Sequence, residues 1–282
     1  MGVTLTHVSF TYQGAASKAI DDVSLDLQPG RFYGVVGATG AGKSTLCHIF
    51  SGLIPHFLKG SLDGEVALDG HPTSAIPIDE IATRVGYVFQ NPFDQLSHIT
   101  YRVDDEVAFG LQNLGLPREE IVARVTRALE VLRIADLRDR YPFHLSGGQL
   151  QRLAVASVLA MSPDIVVMDE PTSQLDPQGT REVFQAVADL RTSGVTVVLV
   201  EHKVELLAAH VDELIALGGG RVLLQGPPRA VLASPAFSDL GVDQPQMAEL
   251  ALQLGFAGEP PALPLTPSEL IQHYGLEALH AD

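Results

Sequence analysis

The stretch of sequence that decides the fold is Gly37-Ala38-Thr39-Gly40-Ala41-Gly42-Lys43-Ser44. An apolar run at residues 31–36 precedes it with the pattern of a strand, and residues 43–51 follow it with that of a helix. The glycines let successive backbone N–H groups point at phosphate oxygens in conformations that Cβ atoms would obstruct. A glycine-rich loop between a strand and a helix N-terminus indicates a binding site for a nucleoside triphosphate.

Two residues of this phosphate loop (residues 37–44) have predicted roles of their own. Lys43 is expected to reach the β- and γ-phosphates, and Ser44 to ligate Mg²⁺. The predicted cofactors are therefore ATP and Mg²⁺. The residues predicted here to bind the nucleotide are Gly37, Ala38, Thr39, Gly40, Ala41, Gly42, Lys43, Ser44 and Thr45.

An acidic pair follows a second apolar run. Residues 165–168 are continuously apolar, which is typical of a central parallel strand covered on both faces, and Asp169 and Glu170 come directly after them. We expect Asp169 to hold Mg²⁺ directly or through water, and Glu170 to accept a proton from the attacking water. Taken alone, such a pair is more often a solvated strand end. The phosphate loop upstream favours the catalytic interpretation.

A second glycine-rich stretch, the signature segment, is Leu145-Ser146-Gly147-Gly148-Gln149. It stands at the start of a predicted helix, so its hydroxyl and backbone N–H groups make a second anion site. One triphosphate needs a single cradle. We therefore predict that Ser146, Gly147, Gly148 and Gln149 contact a triphosphate bound to another subunit; a plain helix cap with flexible glycines is the alternative.

Strands alternate with helices along the chain, which predicts an α/β protein with the site at the ends of its strands. An N-terminal antiparallel β region is expected to precede this core. Residues 91–145 have a helical pattern and, with the signature helix, form a predicted helical subdomain of about residues 91–160. One helix within it is expected at residues 117–137.

Two domains are predicted. Residues 1–235 form the ATPase domain and residues 236–282 a C-terminal helical tail. Thr266-Pro267-Ser268-Glu269 is a capping box that opens the last helix of that tail.

Composition limits the partners. Eighteen Lys and Arg residues against 34 Asp and Glu give a formal net charge of −16, which argues against a general nucleic-acid surface. Apolar runs stay below the roughly 18–20 residues that span a bilayer, and the N-terminus lacks the pattern of a signal peptide. The single cysteine, Cys47, excludes an internal disulfide and is expected to be an inert packing residue.

These motifs together resemble the ATPase subunits of ATP-binding-cassette (ABC) transporters, and the resemblance covers about residues 3–230. It implies that Gln90 is a catalytic residue that senses and ligates Mg²⁺ and touches the transmembrane subunit, and that His202 is a catalytic residue that contacts the γ-phosphate. It also implies that Tyr12 stacks on adenine. Residues 173–176, ending at Asp176, resemble the family's loop that crosses the dimer, and this resemblance implies that Asp176 belongs to the nucleotide-binding residues.

A narrower resemblance is to the ATPases of energy-coupling-factor transporters, carried by residues 90–96, 103–111 and 113–117. That family takes up vitamins and transition metals. It pairs two ATPase subunits with a transmembrane coupling protein and a small substrate-binding membrane protein. Glu201-His202-Lys203 departs from the commoner Thr-His-Asp, and Gln174 replaces a common alanine. Whether the second ATPase subunit is identical or a paralogue stays open, as does the activity of each composite site.

The resemblance implies a peripheral protein at the cytoplasmic face of the cell membrane, without nucleic-acid partners. Two alternatives within the family are a conventional ABC importer ATPase and a soluble ABC ATPase unattached to a transporter. A binding module that does not hydrolyse ATP is a third alternative. The presence of Lys43, Asp169, Glu170 and His202 argues against it.

Overall fold

The computed structural model describes residues 1–190, 194–255 and 263–274. The strands are β1 Val3–Tyr12, β2 Ile20–Leu27, β3 Phe32–Gly37, β4 Gly60–Leu68, β5 His71–Pro72, β6 Val85–Val88, β7 Ile165–Asp169, β8 Thr196–Val200, β9 Glu213–Gly218 and β10 Arg221–Gly226. The helices are α1 Lys43–Phe50, α2 Leu53–His56, α3 Ile78–Arg84, α4 Val103–Asn113, α5 Arg118–Val131, α6 Gly147–Ala160, α7 Pro177–Asp189, α8 Val204–His210, α9 Pro228–Ala233, α10 Pro235–Ser238, α11 Gln246–Gln253 and α12 Pro267–Tyr274.

The larger sheet has the order β10-β9-β3-β8-β7-β6, and all its neighbours are parallel except β10 and β9. Val200 pairs with Val35 on one side and with Asp169 on the other. The carboxyl ends of β3, β8 and β7 therefore meet at one edge of the sheet. The predicted α/β class is confirmed, with the phosphate loop following the central strand β3.

Both faces of this sheet are covered, as the continuous apolar strands require. On β3, Phe32 and Val36 pack into one core with the helical layer, whereas Tyr33 and Val35 pack into a second core beneath the smaller sheet. All four side chains are fully buried. Burying a side chain of this kind contributes roughly 1.5–3 kcal/mol, so the strand ends that carry the site rest on rigid elements.

The smaller sheet has the order β2-β1-β4-β5 and is antiparallel. It is the predicted N-terminal β region, although the sequence showed only part of it. β1 carries Tyr12 as its last residue and pairs with both β2 and β4. This sheet therefore brings Tyr12 beside the phosphate-loop helix α1.

Helices α4, α5 and α6 pack against one another on the other side of the molecule. The expectation of one helix over residues 117–137 is wrong, because α5 ends at Val131. Arg133 adopts a left-handed conformation (φ 55°), and the Ile134 N–H donates to the Leu129 carbonyl at 2.9 Å. This six-to-one hydrogen bond closes the helix, and a separate 3₁₀ turn follows at Ala135–Leu137.

After β10 the described parts of the chain contain four helices, α9 to α12. Residues Ala248, Leu263 and Leu270 of this segment pack into the core that contains the helical layer. Arg229 of α9 forms an ion pair with Glu269 of α12 at 2.8 Å, which lowers the pKa of Glu269 to about 2. The Thr266 hydroxyl accepts the Glu269 N–H at 3.2 Å, as the capping box predicts. Residues 256–262 and 275–282 of the predicted tail lie outside the described residues. In the described ranges of the chain, no helix is long and apolar enough to cross a membrane.

Candidate nucleotide site

Glycine is required at two positions of the phosphate loop. A Cβ at Gly37 would lie 2.4 Å from the Leu217 carbonyl oxygen. Gly42 has a φ of +104°, and a Cβ there would lie 2.6 Å from the Ala19 carbonyl oxygen. The neighbouring backbone therefore leaves room only for glycine at these two positions. The same close contacts fix the loop between the end of β3 and the start of α1. Thr39, Gly40 and Ser44 are exposed, whereas Thr45 is buried.

The Lys43 side chain crosses this loop. Its Nζ donates to the carbonyls of Gly37 at 2.9 Å and Ala38 at 3.2 Å, and it lies 3.8 Å from Oε1 of Glu170. The side chain is only 6% exposed. A buried ammonium needs partners, so this lysine is held at the mouth of the loop, where phosphate oxygens can replace its carbonyl acceptors.

The other predicted catalytic residues lie around the Glu170 carboxylate. The His202 Nε2 lies 2.8 Å from Oε1 of Glu170, and the Gln90 Nε2 donates to Oε2 at 2.8 Å. Gln90, Glu170 and His202 follow β6, β7 and β8, so three adjacent strand ends supply them. Glu170 itself has a φ of 49°, which is uncommon for a residue with a side chain. Such a conformation costs roughly 1–3 kcal/mol and often marks a functional site.

Asp169 ends β7 and is 7% exposed. Tyr87 donates from its hydroxyl to Oδ2 of Asp169 at 3.4 Å, while Oδ1 is buried without a hydrogen-bond partner among the described residues. A buried carboxylate oxygen without a partner fits a hard cation, because Mg²⁺ prefers oxygen ligands. Asp169 and Ser44 would hold Mg²⁺, which would neutralise charge on the phosphates when bound. Gln90, the third predicted ligand, donates from its amide nitrogen to Glu170.

Tyr12 lies against the phosphate-loop helix. Its hydroxyl is 3.1 Å from the Thr45 Oγ1 and 3.5 Å from the His48 Nδ1, and its ring meets Phe10 edge-on with centroids 4.8 Å apart. Burial lowers the pKa of His48, so a neutral imidazole can accept a hydrogen bond from the tyrosine hydroxyl. These contacts place Tyr12 beside the site, with its ring oriented by strand and helix together.

Cys47, one turn along α1, is a packing residue as expected. It is fully buried, and burial raises the pKa of its thiol.

The signature segment begins α6 with a capping box. The Ser146 Oγ accepts the Gln149 N–H at 3.4 Å, and the Gln149 side chain accepts the Ser146 N–H at 3.1 Å. A Cβ at Gly148 would lie 3.2 Å from the Cα of Gly179, so the segment packs closely on the start of α7. Asp176 caps that helix, accepting the Gly179 N–H at 2.7 Å. Residues 145–149 and 173–176 therefore form one continuous surface.

Sequence reasoning missed several residues around the site. Tyr87 touches Asp169, and burial raises the pKa of its hydroxyl. Thr172 is fully buried and hydrogen-bonded to both Glu201 and Lys203. The one available signal was Glu201, a charged residue directly after an apolar strand. Nothing local distinguishes Tyr87 or Thr172 from ordinary strand and loop residues.

A phosphate loop after the central strand of a parallel sheet, with an Asp-Glu pair at the end of another strand, defines a phosphate-loop nucleoside triphosphatase. Residues 20–173 match the family model described as ABC transporter. A protein of Pyrococcus abyssi named as an ABC transporter ATP-binding protein is 42% identical over 89% of this chain and 90% of its own length. A Pyrococcus horikoshii protein with the same description is 39% identical over 96% and 95%.

Two solved structures are similar as well. CbiO1 from Clostridium perfringens, described as part of the ABC transporter complex CbiONQ, has a TM-score of 0.75 and 30% identity over 89% of this chain and 95% of its own. An ATP-binding cassette solved as a dimer in a post-hydrolysis state with ADP and Pi has a TM-score of 0.69 and 29% identity over 80% and 98%. The chain belongs to the ATP-binding subunits of ABC transporters, and it binds and hydrolyses ATP.

Proposed function

We propose that this chain powers uptake through an energy-coupling-factor type transporter of the vitamin or metal-ion class, as a peripheral subunit at the cytoplasmic face of the membrane. The similarity to CbiO1 over 89% of the chain carries the proposal. The resemblance of residues 90–96, 103–111 and 113–117 to energy-coupling-factor ATPases supports it independently of the shared ATPase core. The proposed partners are a second ATPase subunit, a transmembrane coupling protein and a small substrate-binding membrane protein.

The proposed catalytic chemistry uses the groups around Glu170. Glu170 accepts the proton of the attacking water, a contribution of roughly 10²–10⁴-fold in rate. Lys43 stabilises charge on the β- and γ-phosphates, and His202 donates a hydrogen bond to the γ-phosphate. Gln90 orients the attacking water and contributes to binding Mg²⁺. All three contact Glu170 or lie within 3.8 Å of it, so a bound triphosphate offers oxygens that compete for the same donors.

The signature segment is proposed to complete the site of a second subunit. Its N–H groups and hydroxyl lie on α6, in the helical layer, whereas the phosphate loop lies at the end of β3. It shares a surface with residues 173–176, so both stretches would meet the partner together. In a face-to-face pair, each triphosphate would lie between the phosphate loop of one subunit and the signature segment of the other. ATP would then hold the pair closed, and hydrolysis would release it.

A groove supports the proposed membrane partner. It has a volume of about 360 Å³ and lies between α3, β6 and the helices α4 and α6. Phe57 and Phe89 line the groove and are 65% and 38% exposed. Exposed aromatic and aliphatic residues grouped at a concave surface are typical of protein interaction sites. The proposed occupant is a cytoplasmic helix of the transmembrane coupling protein.

Affinity capture of the tagged chain from native membranes tests this proposal. We expect one coupling protein and one small substrate-binding membrane protein as companions. Phe57→Asp should lose them while keeping ATP turnover, whereas Val122→Asp, an exposed position on α5 with 53% exposure, should keep them. Recovery of ribosomal or DNA-bound proteins instead would contradict the proposal. Recovery of paired permeases with a separate binding protein would indicate the conventional importer.

A further inference from the structure

The two charged residues that flank His202 both bind one buried threonine. Glu201 directly follows β8 and is 2% exposed. Its Oε1 accepts hydrogen bonds from the Thr172 backbone N–H at 3.0 Å and from the Thr172 hydroxyl at 2.7 Å. Burial raises the pKa of this carboxyl, and the bonds from Thr172 oppose that rise.

Lys203 binds the same threonine from the other side. Its Nζ donates to the Thr172 carbonyl at 3.1 Å, to the Thr172 hydroxyl at 3.2 Å and to the Thr180 hydroxyl at 2.7 Å. Thr172 and Thr180 are 0% and 2% exposed. The Thr172 hydroxyl thus donates a hydrogen bond to Glu201 and accepts one from Lys203. A hydroxyl in a dry interior that both donates and accepts in this way links the two charges.

This arrangement cross-links the loops that follow β7 and β8. Thr172 lies two residues after Glu170, and His202 lies between the two charged residues. The His202 Nε2 lies 2.8 Å from the Glu170 Oε1. The residues before and after His202, Glu201 and Lys203, both form hydrogen bonds with Thr172. The Glu170 N–H also donates to the Val200 carbonyl at 3.0 Å. This hydrogen bond links the same two loops where they leave β7 and β8.

We propose that Glu201 and Lys203, acting through the Thr172 hydroxyl, are positioning residues that hold His202 and Glu170 in register for hydrolysis. This inference rests on the catalytic roles proposed above for Glu170 and His202. The Glu201 side chain binds Thr172, and the Lys203 side chain binds Thr172 and Thr180. Misplacement of catalytic groups by about 1 Å can lower the rate 10²-fold without changing the chemistry available.

Thr172→Val tests the inference, because valine keeps the shape and backbone N–H but removes the hydroxyl. We expect kcat for ATP to fall between about 10- and 100-fold while the Kd for ATP stays within about twofold. Thr172→Ser restores the hydroxyl and should recover kcat. The matched control is Thr196→Val at the opposite end of β8. Its fully buried hydroxyl also makes two hydrogen bonds, to the Gly30 N–H at 2.9 Å and the Met1 carbonyl at 3.3 Å. It should keep kcat.

Lys203→Met supplies a second measurement that does not alter the buried threonine. If both residues act through one hydroxyl, Lys203→Met combined with Thr172→Val should lower kcat no further than the more severe single variant. Fully additive effects would overturn the inference. So would equal losses of kcat in Thr172→Val and Thr196→Val, because that pattern reports general loosening of the sheet.

Glu170→Gln, assayed in parallel, separates this inference from the proposed function. Loss of turnover in Glu170→Gln together with parental kcat in Thr172→Val overturns only the positioning role. Parental turnover in Glu170→Gln removes the catalytic role of Glu170 on which the inference depends.

Discussion

The Nε2 of His202 lies 2.8 Å from the Oε1 of Glu170, at the ends of two adjacent strands. Gln90 donates to the other oxygen of the same carboxylate at 2.8 Å. One carboxylate therefore contacts nitrogen atoms from the two loops that follow β6 and β8. A γ-phosphate brings oxygens that accept from these donors, so its arrival would free Glu170 to act on water. ATP binding and activation of the base would then be one event.

Glu170→Gln should lower turnover by roughly 10²–10⁴-fold, because the amide has no basic oxygen comparable to the carboxylate. ATP affinity should stay within a few-fold, since Lys43 and the loop N–H groups remain. Phosphate release measures turnover, and calorimetry measures affinity. The control is Glu130→Gln, at an exposed position of α5. Turnover near the parental rate would show that Glu170 is not the base.

Ser146→Arg should leave ATP affinity nearly unchanged and abolish hydrolysis, because the signature segment is proposed to act on a neighbouring subunit. A mixture with Lys43→Ala sharpens the test. If two copies of the chain pair, the mixed dimer holds one site with an intact phosphate loop and an intact signature segment. Turnover should therefore reappear on mixing two inactive variants. Loss of ATP affinity in Ser146→Arg alone would place the segment in its own chain's pocket.

Much of this site could be predicted from the sequence because its chemistry lies in short local stretches. The phosphate loop and the Asp169–Glu170 pair each depend on residues within a few positions of one another. The structure places Gln90, Glu170 and His202 together because parallel strands end at one edge. The α/β class and the continuous apolar strand β7 follow from the same local patterns.

The rest depends on pairings between distant residues. β3 lies between β8 and β9, so Val35 pairs with Val200 and Gly37 with Leu217. No local pattern specifies which strands become neighbours, and β9 and β10 were not predicted at all. The bonds of Thr172 to Glu201 and Lys203 are likewise visible only after β7 and β8 are aligned. The end of α5 at Val131 depends on the left-handed Arg133, a position that the helical pattern of residues 117–137 does not reveal.

Removal of Mg²⁺ should separate binding of the cation from binding of ATP. The buried Oδ1 of Asp169 has no hydrogen-bond partner in the described part of the chain, which fits a cation ligand. With EDTA, the parent should bind ATP more weakly than with Mg²⁺. Asp169→Asn, which keeps the shape, should bind ATP about equally with and without Mg²⁺, as measured by calorimetry. An undiminished effect of Mg²⁺ in this variant would exclude Asp169 as a ligand.

Tyr12 should contribute to ATP affinity through its ring and not through its hydroxyl. Tyr12→Ala should weaken ATP binding by about 1–3 kcal/mol, the usual loss when a base loses an aromatic stacking partner. Tyr12→Phe removes the hydrogen bond to Thr45 but keeps the ring, so affinity should stay close to the parent. GTP and ATP titrations provide the measurement. Equal losses in both variants would show that the hydroxyl, holding α1, is what matters.

The contribution of Glu201 to the stability of the protein should decrease as the pH rises. Burial raises the folded-state pKa of this carboxyl above its ordinary 4.5, so the folded protein binds the proton more tightly than the unfolded chain. Its contribution is therefore most favourable at low pH and is lost as the pH rises from 4.5 through the folded pKa. Above the folded pKa its effect is constant.

Glu201→Gln removes this titration, so the stability of the variant relative to the parent should increase with pH above 4.5 and then level off. Urea unfolding midpoints at a series of pH values measure the difference. Thr196→Val is the control, because it removes two hydrogen bonds but no carboxyl. Its difference from the parent should not change with pH. A Glu201→Gln difference that falls with rising pH would mean that Thr172 and Lys203 outweigh burial and hold the carboxylate charged.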